Sequence, residues 1–233
     1  MQLFYCPNFQ LPQTILPEEE AIHCLQVLRK NVGEVISITD GKGHFAQAKI
    51  LANKPKNCLL EILEIQRQEA KPYYLHIAIA PTKNIERMEW FVEKATEIGI
   101  DEISFLQCDR SERKEIRLER LQKVALQAIK QSKQAYLPLL NPMQKFSQFL
   151  AKDFEGYSQK WIAYVGSNTL LTQTLRSKGK YLLLIGAEGD FSEKEINLAK
   201  EKGFEEISLG KTVLRTETAG IVACTIVACQ NFI

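Results

Sequence analysis

From Tyr73 onward the chain alternates short apolar runs with helical patterns, and this alternation constrains the fold more than any other feature. Tyr74–Ala80, Ile103–Cys108, Trp161–Val165, Tyr181–Ile185 and Glu206–Leu209 read as strands. Between the first two, Met88, Phe91, Val92, Ala95 and Ile98 recur on one helical face, and Gly99 stands where a left-handed residue ends a helix. A second helix, roughly Glu115–Gln134, turns Leu121, Val124, Ala125, Ala128 and Ile129 inward. Strands joined by helices are parallel, so the expected class is α/β with a mainly parallel sheet covered on both faces.

The first third reads differently. Pro17 followed by Glu18, Glu19 and Glu20 suits a first helical turn, because proline has no N–H to lose there and acids complement the helix dipole. That helix carries Ile22, Leu25, Val27 and Leu28 and ends near Arg29-Lys30. Glu34–Thr39 and His44–Leu51 read as hairpin strands around an Asp40-Gly41-Lys42-Gly43 turn. A further strand over Cys58–Ile65 precedes a polar linker, Gln66–Pro72. The expected organisation is a small β-barrel-like domain over 1–71 and an α/β domain over 72–233.

Composition limits the function classes. With 45% hydrophobic and 25% charged residues the chain is not mainly disordered, and 30 basic against 28 acidic side chains exclude a binder acting by bulk positive charge. No run reaches the ~18 apolar residues of a membrane span, the nearest being Ala219–Cys229. The first residues lack the charged and apolar regions of a signal peptide, so a cytoplasmic protein is expected. The cysteines at 6, 24, 58, 108, 224 and 229 contain no C-x-x-C pair, and His23, His44 and His76 are scattered, so no metal site is expected.

Two strand-to-helix turns hold the candidate chemistry. Tyr181–Gly186 runs into Ala187-Glu188-Gly189-Asp190-Phe191, and Ser192 with Glu195 forms a capping box that opens the next helix. Ile207–Gly210 runs through Lys211–Thr218 into an apolar helix, Ile221–Cys229, which must be buried in the fold or in an interface. Each turn has a bland reading as a glycine turn, or as threonine caps beside an Arg215–Glu217 pair. The alternative is a ligand pocket at two strand ends, with Arg215 as the cation aimed into it. No Rossmann, Walker or nucleophile-elbow signature is present.

The paired stretches Ile185–Glu195 (IGAEGDFSEKE) and Leu209–Ala219 (LGKTVLRTETA) closely resemble the bacterial small-subunit rRNA uridine-N3 methyltransferases, the RsmE-type members of the SPOUT superfamily. Supporting stretches are His23 with Val27-Leu28-Arg29, Asp40-Gly41-x-Gly43, Lys94–Gly99, Arg110–Arg113 and Gln131-Ser132. The resemblance implies a PUA-like RNA-binding barrel followed by a trefoil-knotted α/β domain, working as a homodimer in the cytoplasm. It implies S-adenosylmethionine as methyl donor, held by Ile185, Gly186, Glu188, Gly189, Leu209, Gly210, Val213, Leu214 and Thr216, with no metal. The partner it implies is 16S rRNA or the small ribosomal subunit, with no DNA and no membrane. Two positions depart from the family pattern: Ala187 stands where proline is usual and Asp190 where glycine is usual.

An already activated methyl group needs an oriented acceptor and help in deprotonating uracil N3, which positioning and electrostatics supply. Arg215 is the expected stabiliser of negative charge on the uracil, with Glu217 orienting it or acting as base. Arg110–Lys133 carries eight basic side chains against three acidic ones. Arg110, Arg113 and Lys133 from this run, with Arg29 and Lys30 of the first domain, are the RNA contacts expected, mostly on the strength of the resemblance. Competing readings are another SPOUT enzyme, acting on ribose 2′-OH or tRNA, and a non-catalytic RNA-binding protein on the same scaffold.

Overall fold

A computed structural model describes residues 2–231. The chain packs into two units, and the division is not a single cut. One holds the residues up to Ala70 together with Leu126–Leu137; the other holds Lys71–Ala125 and the residues from Pro138 onward.

In the first unit, β1 (Leu3–Tyr5), β2 (Gln13–Leu16), β3 (Val35–Thr39), β4 (His44–Ile50) and β5 (Cys58–Arg67) form one sheet in the order β1-β3-β4-β5-β2. Only β1–β3 is parallel. Alternation sends Ile36, Ile38, Ala46, Ala48, Ile50 and Leu60 to one core, where Cys6, Cys24 and Cys58 also sit with thiol pKa values raised by burial.

The hairpin turn explains why 126–137 belongs to this unit. Asp40 Oδ1 accepts from the N–H groups of Lys42 (2.7 Å) and His44 (3.0 Å), holding the turn closed. Gly41 and Gly43 have φ of +73° and +107°. A Cβ on Gly43 would lie 2.6 Å from the Tyr136 hydroxyl oxygen, so only glycine admits that ring. The Gly43 N–H donates to the Ala135 carbonyl and the Leu137 N–H to the Gly41 carbonyl. Lys130 Nζ and Glu20 Oε1 form a buried ion pair at 2.6 Å, while Glu20 Oε2 accepts from the Tyr5 N–H.

The first helix departs from expectation. Helix α1 (Glu18–Ile22) passes into a π-helical turn, His23–Val27. Its buried residues are Glu20, Ala21 and Cys24, whereas Ile22, Val27 and Leu28 are exposed. The wider turn rotates the following side chains out of the period-3.6 stripe. Arg29, just beyond, has φ +55°.

In the second unit, β6 (Tyr74–Ile79), β7 (Glu102–Gln107), β8 (Leu139–Lys145), β9 (Gln159–Ala163), β10 (Lys180–Ile185) and β11 (Glu205–Ile207) form an all-parallel sheet in the order β11-β9-β10-β6-β7-β8. The crossovers carry α2 (Ile85–Ile98), α3 (Leu118–Ser132, whose residues from Leu126 belong to the first unit), α4 (Phe146–Leu150), α5 (Leu171–Thr174), α6 (Glu193–Glu201) and, after β11, α7 (Thr216–Asn231). Strand β8 escaped the sequence pattern because Pro142 lies inside it; an edge strand tolerates the missing N–H. Strand β10 returns between β6 and β9, bringing three strand ends together.

Helix α7 buries Gly220, Ala223, Cys224, Val227 and Ala228 on one face. It packs on α2 so closely that a Cβ on Gly220 would lie 2.3 Å from Phe91 Cε2. Five of the six cysteines are buried and Cys229 is exposed. Among the described residues no helix is long and apolar enough to cross a membrane.

Candidate active site

The site grows from the carboxyl ends of β9, β10 and β11. Strands buried on both faces carry no polar side chains for a ligand, so the loops that follow them supply the polar groups. Here those loops enclose a cleft of about 300 Å³. Tyr164 and Val165 come from the first loop, Gly186–Glu188 and Asp190 from the second, and Ser208–Thr216 from the third.

The loop after β10 is held from several sides. Asp190 adopts φ +60°, the left-handed region where glycine is at ease. That explains the glycine usual at this place, and aspartate tolerates it by bonding locally. Its Oδ2 accepts from the Val165 N–H (3.0 Å) and its Oδ1 from the Phe191 N–H (2.8 Å), so the side chain clasps two strand-end loops together. The helix cap is instead Ser192, whose hydroxyl accepts from the Glu195 N–H while Glu195 accepts from the Ser192 N–H. Glu188 Oε1 accepts from the Lys83 N–H at 3.0 Å, and Arg110 Nη1 donates to the Gly189 carbonyl at 2.7 Å.

The third loop ends at α7, where the buried Thr216 hydroxyl donates to the Gly186 carbonyl (3.1 Å) and locks the helix start to the β10 loop. Arg215, one residue earlier, is exposed and lines the cleft; its guanidinium makes no hydrogen bond or ion pair with any described residue. Gly210 has φ +156° and open space where a Cβ would stand. The Tyr164 phenol is raised above its ordinary pKa by burial and then by the Glu206 carboxylate.

Of the residues expected at a cofactor, the cleft brings together Ile185, Gly186, Glu188, Leu209, Gly210, Val213, Leu214 and Thr216, with Arg215 beside them. Gly189 and Glu217 are not in its lining. Gly189 faces the Arg110 side chain. Glu217 makes no orienting contact to Arg215: it turns inward along α7, and its Oε1 pairs with Arg87 Nε at 3.7 Å. Its Oε2 is buried without a partner. Successive helical residues point about 100° apart, which separates 215 from 217.

The expected RNA contacts are divided between the units. Arg110 holds the Gly189 carbonyl in the loop after β10, and Arg113 holds those of Thr82 (3.0 Å) and Lys83 (2.5 Å) in the loop after β6, so both brace loops. In the first unit Lys30 pairs with Glu34, while Arg29 and Lys133 both have φ +55°. Sequence reasoning missed Tyr164, Val165, Lys211 and Thr212 as cleft residues, and Arg87 as the partner of Glu217. Tyr164, Val165 and Arg87 come close only through strand order and helix packing, which leave no local signal, whereas Lys211 and Thr212 lie inside the loop between Gly210 and Val213.

Comparison with known proteins decides the family. The RNA methyltransferase domain profile matches residues 69–228, and an RNA methyltransferase PUA domain profile matches residues 16–63. The chain belongs to the RNA methyltransferase family. A Porphyromonas gingivalis structure described as a "probable rRNA-methyltransferase" is 39% identical, with TM-score 0.89 over 98% of this chain and 99% of that one. The ribosomal RNA small subunit methyltransferase E of Neisseria gonorrhoeae, solved bound to S-adenosylmethionine, is 27% identical, with TM-score 0.87 over 97% and 95%. The enzyme of the same name from Buchnera aphidicola is 28% identical over 90% of this chain and 85% of its own. The fold is thus the α/β methyltransferase domain and separate β domain that the motifs implied.

This methyltransferase cleft suits S-adenosylmethionine on its own chemistry. Ala163, Ile185, Leu209, Leu214 and Ala219 offer apolar walls, glycine loops expose backbone polar groups, and the volume is at the small end of ligand sites. Among the described residues no group of three or more His, Cys, Asp or Glu could hold a metal ion.

Proposed function

We propose that the chain transfers a methyl group from S-adenosylmethionine to N3 of a uridine in 16S rRNA. The observation that carries this reading is the unpaired Arg215 lining a glycine-walled cleft at three converging strand ends. The names of the related enzymes support rRNA of the small subunit as substrate and S-adenosylmethionine as donor.

When bound, the cofactor supplies a sulfonium-activated methyl group. Ile185, Gly186, Leu209, Gly210, Val213 and Leu214 hold it and exclude water. Glu188 is fixed by the Lys83 N–H, and Thr216 keeps α7 in register with the β10 loop. Arg215, with no internal partner to give up, places its positive charge against the uracil carbonyl oxygens as N3 loses its proton. The β domain over 1–71, together with the 126–137 segment packed on it, is the RNA-docking part of the same reading, with Arg29, Lys30 and Lys133 as its basic contacts.

The working form in this reading is a homodimer through α7. Its outward face carries Ile221, Val222 and Ile226 half-exposed, and Val213 before it is 77% exposed, an apolar stripe that a second copy would cover. Ultracentrifugation should show a dimer that I226E converts to monomer.

The test is methyl transfer from labelled cofactor to small subunits of a strain lacking this gene, followed by nucleotide mapping. A label on uridine N3 is expected. Label on a ribose 2′-oxygen, or label only on tRNA, would refute the assignment.

A further inference from the structure

A second cavity, about 420 Å³, lies at the carboxyl ends of β7 and β8. Three lysines line it: Lys114 after β7, Lys145 at the end of β8 and Lys194 in the first turn of α6. All three are exposed and pair with no described residue. Lysine in a first helical turn opposes the helix dipole, so Lys194 is not there to stabilise α6. Bringing three unpaired cations to one cavity costs energy through mutual repulsion, which a bound anion relieves.

Two carboxylates at the cavity, Glu195 and Asp109, offset part of this repulsion and leave the lining with a net charge of +1, and oxygens of both are occupied by protein donors. Glu195 is buried and accepts from the Asp109 and Ser192 N–H groups, both at 2.9 Å, while Asp109 accepts from the Ser192 hydroxyl at 2.7 Å. The cavity also adjoins the cofactor cleft through one continuous segment. Gly186, Ala187, Glu188 and Asp190 line the cleft, and their segment leads directly into α6, whose first turn lines the cavity.

We propose that this lysine-lined cavity holds a backbone phosphate of the RNA strand beside the target nucleotide. The inference rests on the methyl-transfer reading above for the identity of the RNA. Two sources of phosphate are conceivable, a phosphodiester of RNA and free phosphate, and the experiment separates them.

The full chain is compared with K114Q/K145Q/K194Q and with K200Q/K202Q, a control at the far end of α6. Filter binding of 16S rRNA between 50 and 200 mM salt should show the triple variant losing about 0.7 from its log–log salt slope, as expected for one phosphate contact to a single strand. Its affinity at 150 mM salt should fall roughly tenfold or more. Cofactor affinity and the control variant should stay at wild-type values. A triple variant with unchanged rRNA affinity and slope overturns the proposal, and so does one that weakens only inorganic phosphate binding. A wild-type chain that binds rRNA without transferring methyl would refute the reaction above. The slope comparison would still decide the cavity.

Discussion

Replacing Gly220 by alanine separates helix propensity from packing, because the two predict opposite signs. In an ordinary helix interior the change stabilises by about 1 kcal/mol. Here the new methyl would start 2.3 Å from Cε2 of Phe91, a ring with no solvent exposure and therefore no free path of retreat. Forcing extra volume into a packed core costs about 1–3 kcal/mol, and this overlap belongs at the upper end. The net expectation is a loss of about 1–2 kcal/mol, read as a lower urea midpoint at unchanged slope. In an F91L background the obstacle shrinks, and G220A should become neutral or stabilising. The cycle should therefore give a coupling of about 2 kcal/mol. Since α7 starts at the cleft residue Thr216, directly after Arg215, G220A should also weaken cofactor binding. A G220A protein more stable than wild type, or a coupling near zero, would refute the close α2–α7 contact as the reason for glycine here.

Arg215→Ala should reduce methyl transfer by about a hundredfold or more while leaving cofactor affinity within about twofold, measured by single-turnover transfer and calorimetry; near-normal transfer would remove Arg215 from the chemistry. Asp190→Gly and Asp190→Ala lose the same clasp to Val165, but alanine must also hold φ +60°. Their urea midpoints should put alanine below glycine by about 0.5–1 kcal/mol, and the reverse order would reject the backbone explanation. Burial lowers the pKa of His76 to about 4, between Ser104 Oγ (2.8 Å from Nε2) and the Tyr157 hydroxyl (2.7 Å from Nδ1). Glu102 opposes that shift, while Lys152 and Lys180 reinforce it. A folded-state value below the unfolded 6.5 means that stability is complete above pH 6.5 and is lost as pH falls toward 4, about 3 kcal/mol in all. The pH dependence of unfolding should flatten by that amount in His76→Asn; an unchanged slope would show that His76 is not the group titrating.

Some of this protein was legible in its residues because the signals are local. Apolar runs of strand length, the Ser192–Glu195 capping box, the Gly99 helix stop and the Asp40–Gly43 turn each depend on neighbours within a few positions. Backbone geometry and side-chain hydrogen bonding enforce them wherever they occur. The two C-terminal glycine loops stood out for the same reason, since both follow buried strands directly, and the structure brings both to one cleft. The π-helical turn after Ile22 was not, because a period-3.6 stripe through Val27 and Leu28 looks the same until the packing of Cys24 decides which face turns inward.

The sequence by itself determined five of the six strands of the larger sheet, its main helices and its parallel class, while β8 and the short α4 and α5 carried no such signal. Tertiary structure alone decided that β10 inserts between β6 and β9, which brings Val165 to Asp190 and Thr216 to Gly186. It also decided that Glu217 turns away from Arg215 toward Arg87, and that residues 126–137 pack with the β domain through Lys130–Glu20 and Tyr136–Gly43. The physical reason is range. Propensity, capping and turn chemistry act over a few residues, whereas strand order, ion-pair choice and close approach depend on which distant surfaces bury each other best.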